Sequence, residues 1–292
     1  PEYIGEYQVT TMQRRGDSFL AFGSRGYTTS FNINVGLERI YRVPAWDQQN
    51  VVMWEQGEHV VGATSGGYLL RFTGAQWEPL SKIPGAEEGA RAAKQFLWAD
   101  EECVYVANRE GLFRFVDAQW ESIPYPDDLE AEGVDAICGF GCDDVYVASA
   151  YRVLHLSECT WEELPAAEEQ KFAVSDLWCR QPNEVYASGT GLYLWKDRGW
   201  EVLVPARKEP NGSWVVHQYV WGNESDDTIY LHESAVEAER YVTKVRIDGE
   251  WEDWQCEFGS DPCIIGGVRG FDKETIWGFT NQAVWSVKPG DH

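Results

Sequence analysis

Across residues 172–204 short apolar runs alternate with small polar clusters. Phe-Ala-Val-Ser-Asp-Leu-Trp-Cys, Val-Tyr-Ala-Ser, Leu-Tyr-Leu-Trp and Trp-Glu-Val-Leu-Val are separated by turn residues at 181–184, 189–191 and 196–199. Runs this short, rich in Val, Tyr and Trp and bounded by Gly, Asn and Asp, predict four β-strands rather than helices. The pattern returns along the chain. A Trp-Glu pair begins at Trp77, Trp120, Trp161, Trp200 and Trp251, at spacings of 43, 41, 39 and 51 residues. Ahead of it stand Val104-Tyr105-Val106-Ala107, Val145-Tyr146-Val147-Ala148, Val185-Tyr186-Ala187-Ser188 and Ile229-Tyr230-Leu231, with weaker echoes starting at Phe19, Val60 and Ile276. A third marker precedes these at Trp54, Trp98, Trp178 and Trp221, and Cys138 takes its place once. Three markers in register define one repeated supersecondary unit.

Four strands in about forty residues is the period of a propeller blade. The predicted fold class is therefore all-β: a seven-bladed β-propeller of four-stranded antiparallel blades, at 7–43, 49–83, 90–124, 133–165, 172–205, 213–257 and 261–287. Blade 7 ends after its third strand, and segment 2–5 is expected to supply the fourth. That N-terminal strand would close the ring and cover an edge otherwise left unpaired. One propeller uses all 292 residues, so a single domain is expected.

The blades resemble the bacterial propeller repeats of the YVTN and two-component-regulator type, roughly Trp…Asp-Val-Tyr-Val-Gly-Thr…Gly-Leu-X-Arg-Phe-Asp-Gly…Trp. Here the pattern reads Val-Tyr-Val-Ala-Asn-Arg-Glu-Gly-Leu-Phe-Arg-Phe at 104–115 and returns at 185–195. It covers blades 2 to 5 well, blades 6 and 7 loosely, and blade 1 by period alone. The resemblance implies a fold and a bacterial source but no activity, because propellers host lectins, hydrolases, lyases and scaffolds alike.

Charge narrows the partners. With 48 acidic and 24 basic residues the net charge is −24, a field that repels nucleic-acid phosphates and anionic lipid and favours basic proteins or cations. No run of 18 apolar residues occurs, so no membrane helix is expected. Seven cysteines form an odd count without the spacing of a small secreted scaffold. The first residues, Pro-Glu-Tyr-Ile-Gly-Glu-Tyr, lack the basic and apolar regions of a signal peptide. The expected location is cytoplasmic, with the protein a monomer on its own. Against that, Cys142, Cys159 and Cys179 are all expected at turns on one face, and they, or Cys256 with Cys263, could pair in an oxidising compartment.

In a propeller the links between blades emerge on one face. These links carry Trp46, then Glu87 and Glu88, then Tyr125, Asp127, Asp128, Glu130 and Glu132, then Glu168 and Glu169, then Ala206-Arg207-Lys208-Glu209-Pro210 with Trp214 close behind. Together they predict an acidic arc that steers a basic partner and exposed aromatics, Trp46, Tyr125 and Trp214, that anchor it. Equally, loops are where solvated acids collect. In blade 6 the stretch from His232 to Tyr241 is expected to lengthen the loop between second and third strands and to project on the same face.

Catalytic patterns are sparse. His59, His155, His217, His232 and His292 are scattered, with no metal spacing. Cys138 and Cys142 lack a second close pair to complete a zinc site, and small buried side chains account for them. Residues 223–227, Asn-Glu-Ser-Asp-Asp, have the composition of a cation loop without its ligand spacing, and read as a polar turn. No cofactor is expected. The sequence thus points to a non-enzymatic interaction module, a scaffold, adaptor or inhibitor, with a role in bacterial regulation or toxin neutralisation as its setting. Two alternatives remain: carbohydrate binding through Trp46, Trp195, Trp214, Trp254, Trp277 and Trp285, or acid chemistry on a small substrate at the central channel.

Overall fold

The residues that recur in the sequence face one another across strands. In the computed structural model the first-strand Trp stands opposite the second-strand Tyr: Trp98↔Tyr105, Trp178↔Tyr186 and Trp221↔Tyr230. Their ring centroids lie 6.0, 5.0 and 5.3 Å apart. The Trp of each Trp-Glu pair faces a third-strand aromatic: Phe72↔Trp77, Phe115↔Trp120 and Trp195↔Trp200, at 5.2, 4.9 and 5.3 Å. Cross-strand aromatic pairs contribute about 0.5–1 kcal/mol each beyond area burial, so the markers are the sheet's own fastenings. The structure describes strand backbone between residues 2 and 287 and side chains within 60–253, apart from 65, 74–75, 86–96, 101, 109–110, 127–132, 167–172, 223–226, 234–241 and 248.

Two compact units emerge from the chain, Pro1–Gly133 with Phe279–Trp285 and Val134–Gly278 with Ser286–His292. The first holds three antiparallel four-stranded sheets. Sheet 1 is Val9–Arg15, Ser18–Gly23, Tyr27–Asn32 and Gly36–Arg42; sheet 2 is Val51–Gln56, His59–Thr64, Tyr68–Phe72 and Trp77–Lys82; sheet 3 is Phe96–Ala99, Val104–Asn108, Gly111–Val116 and Gln119–Ile123. The second unit holds three more. Sheet 4 is Ala136–Gly141, Asp144–Ser149, Arg152–Ser157 and Thr160–Glu163; sheet 5 is Val174–Gln181, Glu184–Gly189, Leu192–Lys196 and Gly199–Val204; sheet 6 is Val216–Gly222, Ile229–Ala235, Arg240–Ile247 and Glu250–Trp254. In each sheet the strands pair in chain order. Among the described residues every regular element is a strand.

Burial is graded across each sheet. The second strands, Val104–Asn108 and Glu184–Gly189, are buried along their whole length, whereas the fourth strands Gln119–Ile123 and Thr160–Glu163 are mostly exposed. A strand buried on both faces needs a neighbouring sheet on each side. Val61, Ala63 and Leu69 of sheet 2, with Ile83 just after its last strand, accordingly meet Leu97, Val104 and Val106 of sheet 3. Between sheets 4 and 5 the contact is Tyr146, Ala148 and Val153 against Leu177, Ala187 and Tyr193, and between sheets 5 and 6 it is Leu192 and Leu194 against Val220 and Leu231. Polar groups reinforce the stacking: Trp120 Nε1 donates to Ser81 Oγ at 2.9 Å, and the Val220 amide donates to Asp176 Oδ2 at 3.1 Å.

Three expectations need correction. Cys138 does hold the Trp position, buried and opposite Tyr146, but it is no mere filler: it is disulfide-bonded to Cys179, which lies in strand Val174–Gln181 rather than at a turn. The two first strands run side by side, with Cα atoms 5.6 Å apart, within disulfide reach. Cys103 of the first unit and Cys142 of the second are each half-cystines too, while Cys159 is free and exposed. Next, the stretch from His232 to Tyr241 is mostly strand. Ile229–Ala235 and Arg240–Ile247 pair as far as Ala235↔Arg240, so strand runs well into the stretch read as loop, and residues 236–239 lie outside the described residues. Lastly, Trp195 is buried against Trp200 and offers no platform for a sugar.

Candidate functional site

Of the predicted partner-binding residues, Trp46, Glu87, Glu88, Asp127, Asp128, Glu130, Glu132, Glu168 and Glu169 lie outside the described side chains. Tyr125 and Trp214 are within them, and they diverge. Tyr125 is only 5% exposed, and burial raises its phenol well above the usual range. It is therefore part of the packing beneath its link rather than an exposed anchor: a ring of this size contributes most when its apolar faces leave water. Trp214 is 45% exposed.

Trp214 sits on a miniature hairpin between sheets 5 and 6. Lys208 and Trp214 form an antiparallel bridge, the Val215 amide donates to Arg207 O at 3.1 Å, and the Glu209 amide donates to Ser213 O at 2.9 Å. The tip is a β-turn, Glu209-Pro210-Asn211-Gly212, closed by the Gly212 amide on Glu209 O at 2.8 Å. Pro supplies the fixed φ of the second turn position, and Gly212, at φ 89°, takes the left-handed backbone that follows. Asn211 Oδ1 accepts from both the Ser213 amide and hydroxyl, at 3.0 and 2.7 Å. Lys208 Nζ lies 4.6 Å from the Trp214 ring centroid, a cation–π contact. The result is a preformed element presenting an aromatic face and a cation.

Beneath the hairpin is a buried charged cluster. Arg207 Nη2 donates to Glu233 Oε2 at 2.7 Å, and His217 Nε2 meets Glu233 Oε1 at 3.0 Å. His217 Nδ1 lies 3.1 Å from Gly189 O on sheet 5. A carbonyl only accepts, so Nδ1 carries a proton. Burial alone would raise the Glu233 carboxyl, but the hydrogen bond and charge of His217, the charge of Lys244 and the Arg207 hydrogen bond outweigh it and hold the group below its ordinary range. Glu233 is thus ionised, with one oxygen facing Arg207 and the other facing His217. The Glu233 and His217 side chains are 3% and 0% exposed.

Scattered along the sequence, these residues gave no motif, yet one signal was present. The residue closing the second-strand motif is Thr64, Asn108 and Ser149 in sheets 2 to 4, all buried, and Glu233 in sheet 6. A carboxylate in a register of small polar residues calls for buried partners. In sheet 5 the position is Gly189, where a Cβ would lie 1.6 Å from Ala173 O, so the close approach of that backbone excludes any side chain. Residue 227, at the end of the stretch read as a polar turn, is paired: Asp227 Oδ1 accepts from Arg180 Nη2 at 2.6 Å.

No protein-family model matches the sequence, and no curated protein matches it. Solved structures do match, at low identity. The chain is similar to virginiamycin B lyase from Staphylococcus aureus (TM-score 0.72, 10% identity, 97% of this chain and 95% of that chain). It is also similar to YCF48 bound to D1 peptide (0.67, 11%, 99% and 94%) and to the WD40 β-propeller domain of Doa1 (0.66, 10%, 97% and 97%). Stacked antiparallel four-stranded sheets with this likeness define the class: the chain has a β-propeller fold.

Proposed function

We propose that the protein is a seven-bladed propeller that works as a protein-interaction module of bacterial origin, binding a basic partner through the face that carries the inter-blade links. The observation that carries the reading is Trp214, an exposed aromatic on a preformed hairpin in one of those links. Rigid loops bearing Trp lose little entropy on binding and are frequent anchors. The charge of −24 supplies steering toward a cationic surface. Ring closure is supported by strand Glu2–Tyr3, which pairs with Val284 and Ala283. The D1 peptide bound to YCF48 makes protein binding a suitable use of the fold, while the burial of Trp195 weakens the carbohydrate alternative. The half-cystines support an oxidising compartment over the cytoplasm.

Charge reversal tests the reading. Replacing Glu87, Glu88, Asp127 and Asp128 by Lys is expected to abolish capture of a basic protein that wild type retains at low salt and releases at high salt, with the melting temperature little changed. Trp214→Ala should weaken the same capture by ten- to a hundredfold, in the range of about 1.4–3 kcal/mol typical of an aromatic anchor. Retention of the partner by the charge-reversed variant would refute the acidic face.

A further inference from the structure

We propose that Glu233 is a positioning residue whose buried carboxylate anchors the Arg207–Val215 hairpin to sheets 5 and 6, and so sets the pose in which Trp214 meets a partner; this rests on the reading of Trp214 as part of the binding face. In sheets 2 to 4 the same strand position is closed by Thr64, Asn108 and Ser149, neutral residues that satisfy the strand end without a charge. Placing a carboxylate there is unfavourable unless it is paired and hydrogen-bonded. Both of its oxygens are engaged by hydrogen-bonding side chains, and the two come from different places: His217 from the first strand of sheet 6, Arg207 from the hairpin itself. His217 passes the connection on to Gly189 O at the end of the second strand of sheet 5.

The hairpin's main-chain bonds, Val215 to Arg207 and Glu209 to Ser213, join it to itself, and the buried Val215 roots its base. Arg207 adds a side-chain tether, since a guanidinium held at 2.7 Å by a fixed carboxylate restrains the strand that bears it. Arg207 Nη1 also lies 3.4 Å from Glu209 Oε1 at the tip. One side chain therefore ties both the base and the tip of the hairpin to the sheets, and Trp214 is fixed across the bridge from Lys208.

The test is amide hydrogen exchange by NMR on the full chain, for wild type, Glu233→Gln and Arg207→Ala, each variant first shown to be folded by its near-UV circular dichroism. Expected is exchange at the Glu209 and Val215 amides at least tenfold faster in both variants, with Val220 and Tyr230 in the sheet unchanged. Unchanged exchange at the hairpin would overturn the anchor. So would uniform acceleration through sheet 6, which would make Glu233 a general stabiliser of that sheet. Because exchange is read without a partner, failure of the capture experiment leaves this result standing, and failure here leaves the acidic face untouched.

Discussion

His232 shows how one buried residue makes the molecule sensitive to acid. Its ring is stacked near Tyr219, with centroids 6.1 Å apart, and its Nδ1 lies 3.4 Å from Thr243 Oγ1. Burial disfavours the charged imidazole and lowers its pKa to about 4, against the opposing charge of Glu233. In the unfolded chain the value returns to about 6.5. Between those two values the unfolded state binds more protons, so stability is full above pH 6.5 and is lost as pH falls toward 4. Glu233 acts in the same sense: its lowered carboxyl contributes stability that disappears as pH drops through its folded value. Wild type should lose roughly 2–3 kcal/mol through His232 between pH 7 and pH 4.5. Urea melts of His232→Phe at the two pH values should show that part of the loss removed; an unaltered difference would place the acid sensitivity elsewhere.

At the scale of the elements the repeat was legible because its markers are cross-strand partners, and side-chain alternation places such partners on one face whatever the rest of the sequence does. The Glu following the Trp has the same explanation in sheets 2 and 3. Arg71 and Arg114 pair with Glu78 and Glu121 across the third and fourth strands, whereas in sheet 4 His155 turns to Asp144 at 2.7 Å and stacks on Tyr146. Less legible was what departs from period: the hairpin holding Trp214 and the extension of sheet 6 through Ala235, both local pairings without a repeat marker, and the carboxylate of Glu233, fixed by His217 and Arg207 16 and 26 positions away. Tyr125 was misread because a link residue was assumed exposed, although an aromatic between Pro124 and Pro126 has apolar surface to bury. The tight turns carry a prediction. The turns between third and fourth strands hold both central residues at positive φ, as type I′ hairpins demand: Asp117 and Ala118 at 48° and 60°, Glu158 and Cys159 at 49° and 62°, Asp197 and Arg198 at 50° and 65°. Gly249 fills the second place in sheet 6 at 86°. A side chain there costs about 1 kcal/mol relative to glycine. Ala118→Gly and Arg198→Gly should therefore each stabilise by up to ~1 kcal/mol, less the added chain entropy of glycine. A fall in the midpoint of thermal unfolding for both would show the turns to be unstrained.

For the whole molecule the dominant opposition is between charge and covalent connection. A net charge of −24 repels itself in the folded state more than in the expanded chain, and salt relieves that repulsion. The charge proposed to steer a cationic partner thus lowers stability at low ionic strength. The Cys138–Cys179 disulfide counters it in the second unit by joining the first strands of sheets 4 and 5 across a loop of 41 residues. Closing a loop of that length limits the unfolded ensemble by about 4 kcal/mol on a chain-entropy account. The double variant Cys138→Ala and Cys179→Ala should therefore melt well below wild type at low salt. Raising the salt should recover part of the difference through screening of the acidic surface, and reductant should lower the wild-type melting point while leaving the contribution of this bridge absent from the variant. Equal melting of the two proteins without reductant would mean that sheets 4 and 5 are held by Leu177, Ala187 and Tyr193 against Tyr146, Ala148 and Val153, and that the bridge adds nothing to them.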